Sequence, residues 1–261
     1  TAHIDMMEHS AHCHARLNWS FAMRLLTALI MIFFATLSAH AHWNDVDLQA
    51  SDGVKLKASY ISPAKSGPAM LLVHQCNMDR TSWQSIGKQL HDAGIHVLAL
   101  DLRGLGDSEG DGMRGAGGFG GFLKRSSGDV DLAYDFLAQQ ANVDTSRMAA
   151  GGASCGAMLT ADLATRRNIK TLMLLSGPPS DAAIAHIAAA PELAVFAAAT
   201  SGDTITPGVD ARLKTAVDGS ENPRSTAKIY AGTEHGLPMF AKNAELEPML
   251  IKWLTQELIG N

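Results

Sequence analysis

The residue best suited to covalent chemistry is Ser154, the centre of a Gly-x-Ser-x-Gly pattern formed with Gly152 and Gly156. The pattern falls between an apolar segment typical of a strand and a segment with helical spacing. A serine on such a turn has strained backbone angles and presents its hydroxyl clear of the sheet. The helix that follows directs its N-terminus at developing negative charge. The pattern predicts a nucleophile for acyl transfer; the alternative is a glycine-rich turn without chemistry.

A serine hydroxyl needs a base that takes its proton and a third group that orients the base. His235 lies in a loop at 231–236, directly after the last predicted strand, which puts it at the same sheet edge as Ser154. Asp203 follows an earlier strand at this edge and is the predicted acid, with Asp181 as its rival. The alternatives are a surface histidine and an aspartate that only caps its turn.

Short apolar runs alternating with helical segments provide the elements that must position these residues. Such alternation predicts an α/β fold with one mainly parallel, eight-stranded sheet, helices on both faces and a single domain. Strands are predicted over residues 45–50, 54–61, 69–74, 96–102, 147–153, 171–175, 193–198 and 227–230. Helices are predicted over residues 82–93, 129–140, 156–165, 182–189, 209–217 and 245–259.

The stretch 104–121 stands apart because it contains nine glycines and few residues that could form a core. One interpretation is a mobile surface loop between regular elements. The other is a flexible rim over the active site, since the stretch follows a strand that ends near Leu102 and lies at the carboxyl edge of the sheet.

Two further motifs follow predicted strands. LLVHQCN at 71–77 looks like a strand that ends in His-Gly before an oxyanion loop, with Gln75 in place of the glycine. LALDLRGLGDSEG at 98–110 resembles an Asp-x-Arg-Gly-x-Gly-x-Ser signature. With the serine turn and the chain order serine, acid, histidine, the sequence over 46–258 resembles the α/β-hydrolase family. It is most similar to small dienelactone-hydrolase-like and esterase-like members without a cap.

The resemblance implies an oxyanion hole made of backbone N–H groups. One donor is Cys155, directly after the serine, and the other is Cys76 or Asn77 in the loop after the first motif. In the second motif, Asp101 and Arg103 are expected to pair with each other or with the loop backbone.

Cys76 and Cys155 both adjoin this predicted oxyanion hole. Two donors to one oxygen bring their α-carbons into the roughly 4.4–6.8 Å range that a disulfide needs. A disulfide that ties the oxyanion loop to the serine turn is therefore predicted. Two separately packed thiols remain an alternative. Another is Cys155 as the nucleophile, since dienelactone hydrolases use cysteine in this way.

Composition narrows the class of protein. The 21 Lys and Arg against 26 Asp and Glu give a net charge of −5, without the basic excess of nucleic-acid-binding proteins. The hydrophobic content of 46% supports a sizeable core, and three cysteines are too few for a disulfide scaffold or a zinc cluster. No metal or organic cofactor is expected. Apolar side chains expected to line a substrate pocket, or simply to pack, are Phe119, Phe122, Leu237, Met239 and Phe240.

Residues 23–41 have the pattern of a secretory signal peptide, with a positive start, an apolar stretch and a small-residue site that ends at Ala41. A membrane anchor is the alternative, although the apolar run is shorter than the roughly 20 residues of a spanning helix. Residues 1–22 are interpreted as a spurious extension, and their histidines are not assigned to a metal. Cleavage predicts a domain over 42–261 that is periplasmic or secreted, without stable membrane insertion.

The predicted function is a secreted serine hydrolase that cleaves carboxylic esters, small or polymeric. Ser154 would attack the acyl carbon, His235 would carry the proton and Asp203 would hold the imidazole. A peptidase or amidase of the same fold is one alternative, because fold alone does not select the bond. A binding protein on a hydrolase scaffold is the other.

Overall fold

A central sheet of eight strands organises residues 42–260, the part of the chain that the computed structural model describes. The strands are β1 (Asn44–Gln49), β2 (Lys55–Ile61), β3 (Gly67–Val73), β4 (His96–Leu100), β5 (Val143–Ala153), β6 (Thr171–Leu175), β7 (Ala194–Thr200) and β8 (Thr226–Tyr230). They lie in the order β1-β2-β4-β3-β5-β6-β7-β8. The β1–β2 and β2–β4 pairs are antiparallel and the other five pairs are parallel. The predicted eight-stranded, mainly parallel sheet is confirmed.

Helices flank the sheet on both faces, as predicted. They are α1 (Gln84–Asp92), α2 (Gly112–Gly115), α3 (Phe119–Ala138), α4 (Cys155–Ala164), α5 (Asp181–Ala189), α6 (Val209–Asp218), α7 (Met239–Lys242) and α8 (Leu246–Ile259). Among residues 42–260 no helix is both long and apolar enough to cross a membrane. The predicted extension over 1–22 and signal peptide over 23–41 lie outside the described residues.

The core has two layers, one on each face of the sheet. Alternate residues of β3 belong to different layers. Leu71 lies in the layer that includes α3–α6, and Leu72 lies in the layer that includes α1, α7 and α8. Every residue of β3, β4, β6 and β7 is buried. Strands covered on both faces read as continuous apolar runs, which is why the sequence predicts them well.

Helix α3 begins ten residues earlier than predicted, at Phe119 rather than at 129. Its first half is rich in glycine and serine, which are poor helix formers, so local propensity argues against a helix there. Phe122 is nonetheless completely buried, and it lies on the same helix face as the buried Ser126 and Asp129. Burial of this phenylalanine offsets the weak propensity, and part of the predicted loop over 104–121 is therefore helical.

Candidate active site

Three predicted site residues follow the carboxyl ends of three parallel strands. Ser154 follows β5, Asp203 lies shortly after β7, and His235 lies in the loop after β8. In open sheets of this kind the carboxyl edge is where ligands bind, because the loops there converge.

The turn at Ser154 is strained in the way that the sequence pattern predicts. Ser154 has φ 53° and ψ −122°, a conformation costly for a residue with a side chain. A Cβ at Gly152 would lie 2.6 Å from the Gly156 carbonyl oxygen, and one at Gly156 would lie 2.6 Å from the His74 carbonyl oxygen. Both glycines are thus required by contact, and the Ser154 N–H donates to the Leu175 carbonyl at 2.7 Å, which fixes the turn.

His235 is oriented by Asp203. The imidazole Nδ1 lies 2.7 Å from Asp203 Oδ2, and the other carboxylate oxygen accepts the N–H groups of Ile205 and Thr206 at 2.9 Å each. Asp203 is only 5% exposed and His235 only 9%. A carboxylate at Nδ1 holds the proton on that nitrogen and leaves Nε2 as the basic site.

The Nε2 atom of His235 is buried and has no hydrogen-bond partner among residues 42–260. Buried polar atoms of native proteins are normally paired, so this nitrogen keeps an unused capacity to accept a proton.

The rival acid, Asp181, lies in the first turn of α5 and does not contact His235. Its side chain is 95% exposed and pairs with Arg212 at 2.5 Å. Asp203 is therefore the only one of the two that the structure brings to the imidazole.

A disulfide joins Cys76, in the loop after β3, to Cys155, the first residue of α4. Their α-carbons lie 5.8 Å apart. The two residues predicted to supply oxyanion donors are thus covalently linked, and a sulfur held in a disulfide cannot act as a thiolate nucleophile.

His74 connects the loop after β3 to the loop after β4. Its Nδ1 lies 2.8 Å from the Gln75 carbonyl oxygen, and its Nε2 accepts the Leu102 N–H at 3.1 Å. This pattern requires the neutral imidazole with its proton on Nδ1. Burial lowers the pKa of His74 below its ordinary 6.5, although the Gln75 carbonyl and the charge of Asp101 act in the opposite direction.

The state of His74 predicts that acid destabilises the protein. Between its lowered pKa and about 6.5 the unfolded chain binds more protons than the folded one, so the free energy of unfolding should fall as pH drops below about 6.5. His74→Asn should remove part of this pH dependence. The other part should remain, because burial also lowers the pKa of His96.

Urea unfolding at several pH values between about 5.5 and 7.5 measures this slope. His186→Asn, at a partly exposed position of α5, serves as the control and should keep the native slope. An undiminished slope in His74→Asn would contradict the prediction.

Asp101 and Arg103 do not pair with each other, but the other expectation from the second motif holds for Asp101, whose Oδ2 accepts the backbone N–H of Asp107 in the motif's loop at 2.9 Å. Asp101 is fully buried and binds the Arg80 guanidinium and the backbone N–H of Arg80, the latter at 2.6 Å. Arg103 instead makes two bonds of 2.6 Å to Asp129 on α3. Each of these buried charged side chains pairs with a residue of another segment. Asp101 thereby anchors the far end of the loop after β3. Arg80 could not be recognised from its sequence, since no local pattern marks a pairing across 21 residues.

The predicted pocket residues separate into two groups. Phe122 and Met239 are completely buried, so they belong to the core and do not line an open pocket, which corrects their assignment. Phe119 is 46% exposed, and Leu237 and Phe240 are partly exposed. No group of three or more His, Cys, Asp or Glu side chains suited to a metal ion occurs within 42–260.

The architecture is that of the α/β hydrolases. The esterase Pf2001 of Pyrococcus furiosus superposes with a TM-score of 0.66 at 14% sequence identity, over 84% of this chain and 92% of that chain. A dienelactone hydrolase of Anabaena variabilis superposes with a TM-score of 0.61 at 18% identity, over 84% of this chain and 99% of that one. At these identities the likeness concerns the fold.

The chain belongs to the family described as serine aminopeptidase, S33, whose model matches residues 64–231. An uncharacterized protein of Mycobacterium tuberculosis, Rv2307c, is 31% identical over 134 residues, 51% of this chain and 44% of that protein. The alpha/beta hydrolase domain-containing protein WAV2 of Arabidopsis thaliana is 32% identical over 136 residues, 48% of this chain and 39% of that protein. The chain thus matches less than half the length of these curated relatives.

Proposed function

We propose that this α/β hydrolase cleaves carboxylic esters with Ser154, His235 and Asp203 through an acyl-enzyme intermediate. The observation that carries the proposal is that one sheet edge presents both a strained, elbow-held serine and a buried imidazole whose Nδ1 is bound to a carboxylate and whose Nε2 is unpaired. This division of roles is what nucleophilic acyl transfer requires.

In the proposed reaction His235 Nε2 accepts the Ser154 proton as the hydroxyl oxygen attacks the acyl carbon. The N–H groups of Cys155 and Cys76 donate to the oxyanion, and each such donor typically contributes about 2.7–4 kcal/mol. The intermediate expels the alcohol, which leaves with the proton from His235. Water then attacks the acyl-enzyme, gives its proton to His235, and releases the acid as Ser154 regains its hydrogen. Asp203 keeps its hydrogen bond to His235 Nδ1 and holds the imidazole in place.

An ester is preferred as the substrate because the connection between β6 and β7 contains only the nine-residue α5. This connection carries no cap that would select a peptide terminus, and the exposed Phe119 lies on α3 after β4, at the carboxyl edge. The family description names aminopeptidases, so amide cleavage is the competing activity.

A panel of p-nitrophenyl esters from acetate to palmitate, run beside p-nitroanilides, tests the proposal. Ester hydrolysis with fluorophosphonate labelling at Ser154 is the expected result. Labelling with anilide cleavage alone would support the peptidase or amidase, and absence of both activity and labelling would favour a binding protein. The chain-length profile defines the acyl group and shows whether polymeric esters should be tried.

We also propose that the enzyme acts in the periplasm or outside the cell, after removal of residues 23–41. The Cys76–Cys155 disulfide supports this location, since disulfides persist in oxidising compartments. N-terminal sequencing of the protein recovered from a cell fraction tests it. A new terminus near residue 42 in the periplasm or medium is expected, whereas a full-length chain in the cytosol would contradict the proposal.

Removing the disulfide should cost both stability and activity. It links residues 79 apart in sequence, and closing a loop of that size is expected to contribute about 4.5 kcal/mol in the chain-entropy treatment. The Cys76→Ser, Cys155→Ser double variant should therefore unfold at lower urea concentration and lose about tenfold in kcat, because the oxyanion donors are less well held.

Dithiothreitol provides the matched comparison, since it should lower activity of the native protein and leave the double variant unaffected. Mass spectrometry after alkylation of the unfolded, unreduced protein checks the bond itself. Labelled thiols at both Cys76 and Cys155 would contradict the prediction.

A further inference from the structure

Gln75 occupies the position at which the sequence motif departs from His-Gly, and its side chain is almost completely buried, at 3% exposure. The amide oxygen Oε1 accepts the backbone N–H of Leu237 at 3.0 Å. The amide nitrogen Nε2 donates to Asn77 Oδ1 at 2.7 Å. The bond to Leu237 crosses 162 residues of sequence and joins the loop after β3 to the loop that carries His235.

The backbone next to the proposed base is shaped around this amide. Gly236, directly after His235, has φ +67°, and a Cβ there would collide with Gln75 Oε1 and lie 3.1 Å from Gln75 Cδ. The same Cβ would lie 3.6 Å from the Cβ of Ala153, the residue before the nucleophile. Gln75 therefore fills the space where the oxyanion loop, the serine turn and the histidine loop meet.

We propose that Gln75 is a positioning residue, which ties the oxyanion loop to the His235 loop and keeps the base in register with the nucleophile and the oxyanion donors. The inference rests on the proposed function. The disulfide holds the oxyanion loop to the serine turn, and the Gln75 amide holds the same loop to the base. A glycine at position 75 supplies no side chain for the second connection.

Positioning differs from simple packing in its kinetic effect. If Gln75 only filled space, its replacement would lower stability without a specific change in turnover. If it holds His235 in register, its replacement lowers kcat while leaving KM nearly unchanged, because the lost interaction acts on the transition state rather than on substrate binding.

Gln75→Met keeps the length of the side chain and removes its hydrogen bonds. We expect kcat to fall about tenfold, the effect of one hydrogen bond, with KM within about twofold of the native value. The rate of fluorophosphonate reaction at Ser154 should fall in parallel. Gln75→Gly introduces the glycine of the related motif and should show the same loss of kcat. This variant replaces Gln75→Met in the experiment if Gln75→Met does not fold.

Asn222→Ala is the matched control. Asn222 is also a buried amide, 4% exposed, whose Oδ1 accepts one backbone N–H, that of Arg224 at 3.0 Å, but it lies in the loop before β8, away from the triad. It should lower Tm comparably and leave kcat and the labelling rate unchanged. Equal kinetic losses in Asn222→Ala and Gln75→Met would overturn the proposal.

Hydrogen exchange provides a readout that does not require activity. The Leu237 amide should exchange slowly in the native protein and in Asn222→Ala, and faster in Gln75→Met. Unchanged exchange at Leu237, or native kcat in folded Gln75→Met, would overturn the role of Gln75. If the native protein neither hydrolyses esters nor reacts with a fluorophosphonate, the proposed function fails, and the exchange comparison alone decides whether Gln75 holds the His235 loop.

Discussion

Ser154→Ala is expected to lower kcat for ester hydrolysis by about 10⁴- to 10⁶-fold, because the variant has no atom that can form the acyl-enzyme. The fold should be retained, since alanine adds no bulk at this turn and leaves intact the backbone bond from residue 154 to Leu175. Steady-state kinetics of the purified variant, together with its Tm and loss of fluorophosphonate labelling, measure the effect.

Ser176→Ala is a well-matched control for this experiment. Ser176 follows β6 as Ser154 follows β5, has a similarly positive φ of 49°, and is completely buried. Its hydroxyl is directed at Met239, with Oγ 3.7 Å from the sulfur, rather than into solvent. Its variant should remain labelled and active. Near-native turnover in Ser154→Ala would exclude this serine as the nucleophile.

Asp203→Asn should lower kcat by about 10⁴-fold through the wrong histidine tautomer. One carboxylate oxygen accepts the N–H groups of Ile205 and Thr206, so an asparagine at 203 would keep its carbonyl oxygen there. Its NH₂ group would then face His235 Nδ1 as a donor and force the imidazole proton onto Nε2. An imidazole protonated at Nε2 cannot accept the serine proton.

The structure offers Asp181→Asn as the comparison, because this aspartate is exposed and pairs with Arg212 instead. Its kcat should stay close to the native value. A pH-rate series on both variants checks the result, and a larger loss in Asp181→Asn than in Asp203→Asn would show that the acid has been assigned wrongly.

The sheet and the strand-end positions of the three candidate site residues could be predicted from sequence because their signals are local. Each buried strand is a short apolar run, and Ser154, Asp203 and His235 each follow one of these runs within a turn rich in glycine or polar residues. Because these strands run parallel, the three loops after them share one edge, and no individual contact needs to be known.

Contacts between distant segments could not be predicted in this way. The Arg80–Asp101 pair and the early start of α3 depend on which elements pack together, and neither has a pattern within its own segment. Phe122 is an example of a residue whose place could not be predicted from sequence, since a phenylalanine near a loop at the carboxyl edge suits a pocket and the core equally well. Only the packing of α3 against the sheet decides between these outcomes.

The disulfide also determines what a break in the backbone would do. Cys76 and Cys155 lie on either side of the glycine-rich stretch 104–121, so a protease that cut there once would leave two pieces still joined as one covalent molecule. One piece would contain β1–β4 with the loop that carries Cys76, and the other would contain all three residues of the proposed triad. Under oxidising conditions the two parts of the molecule therefore stay covalently joined even when the chain is cut within its most glycine-rich segment. That segment is thus a natural position for new chain termini or for an inserted domain.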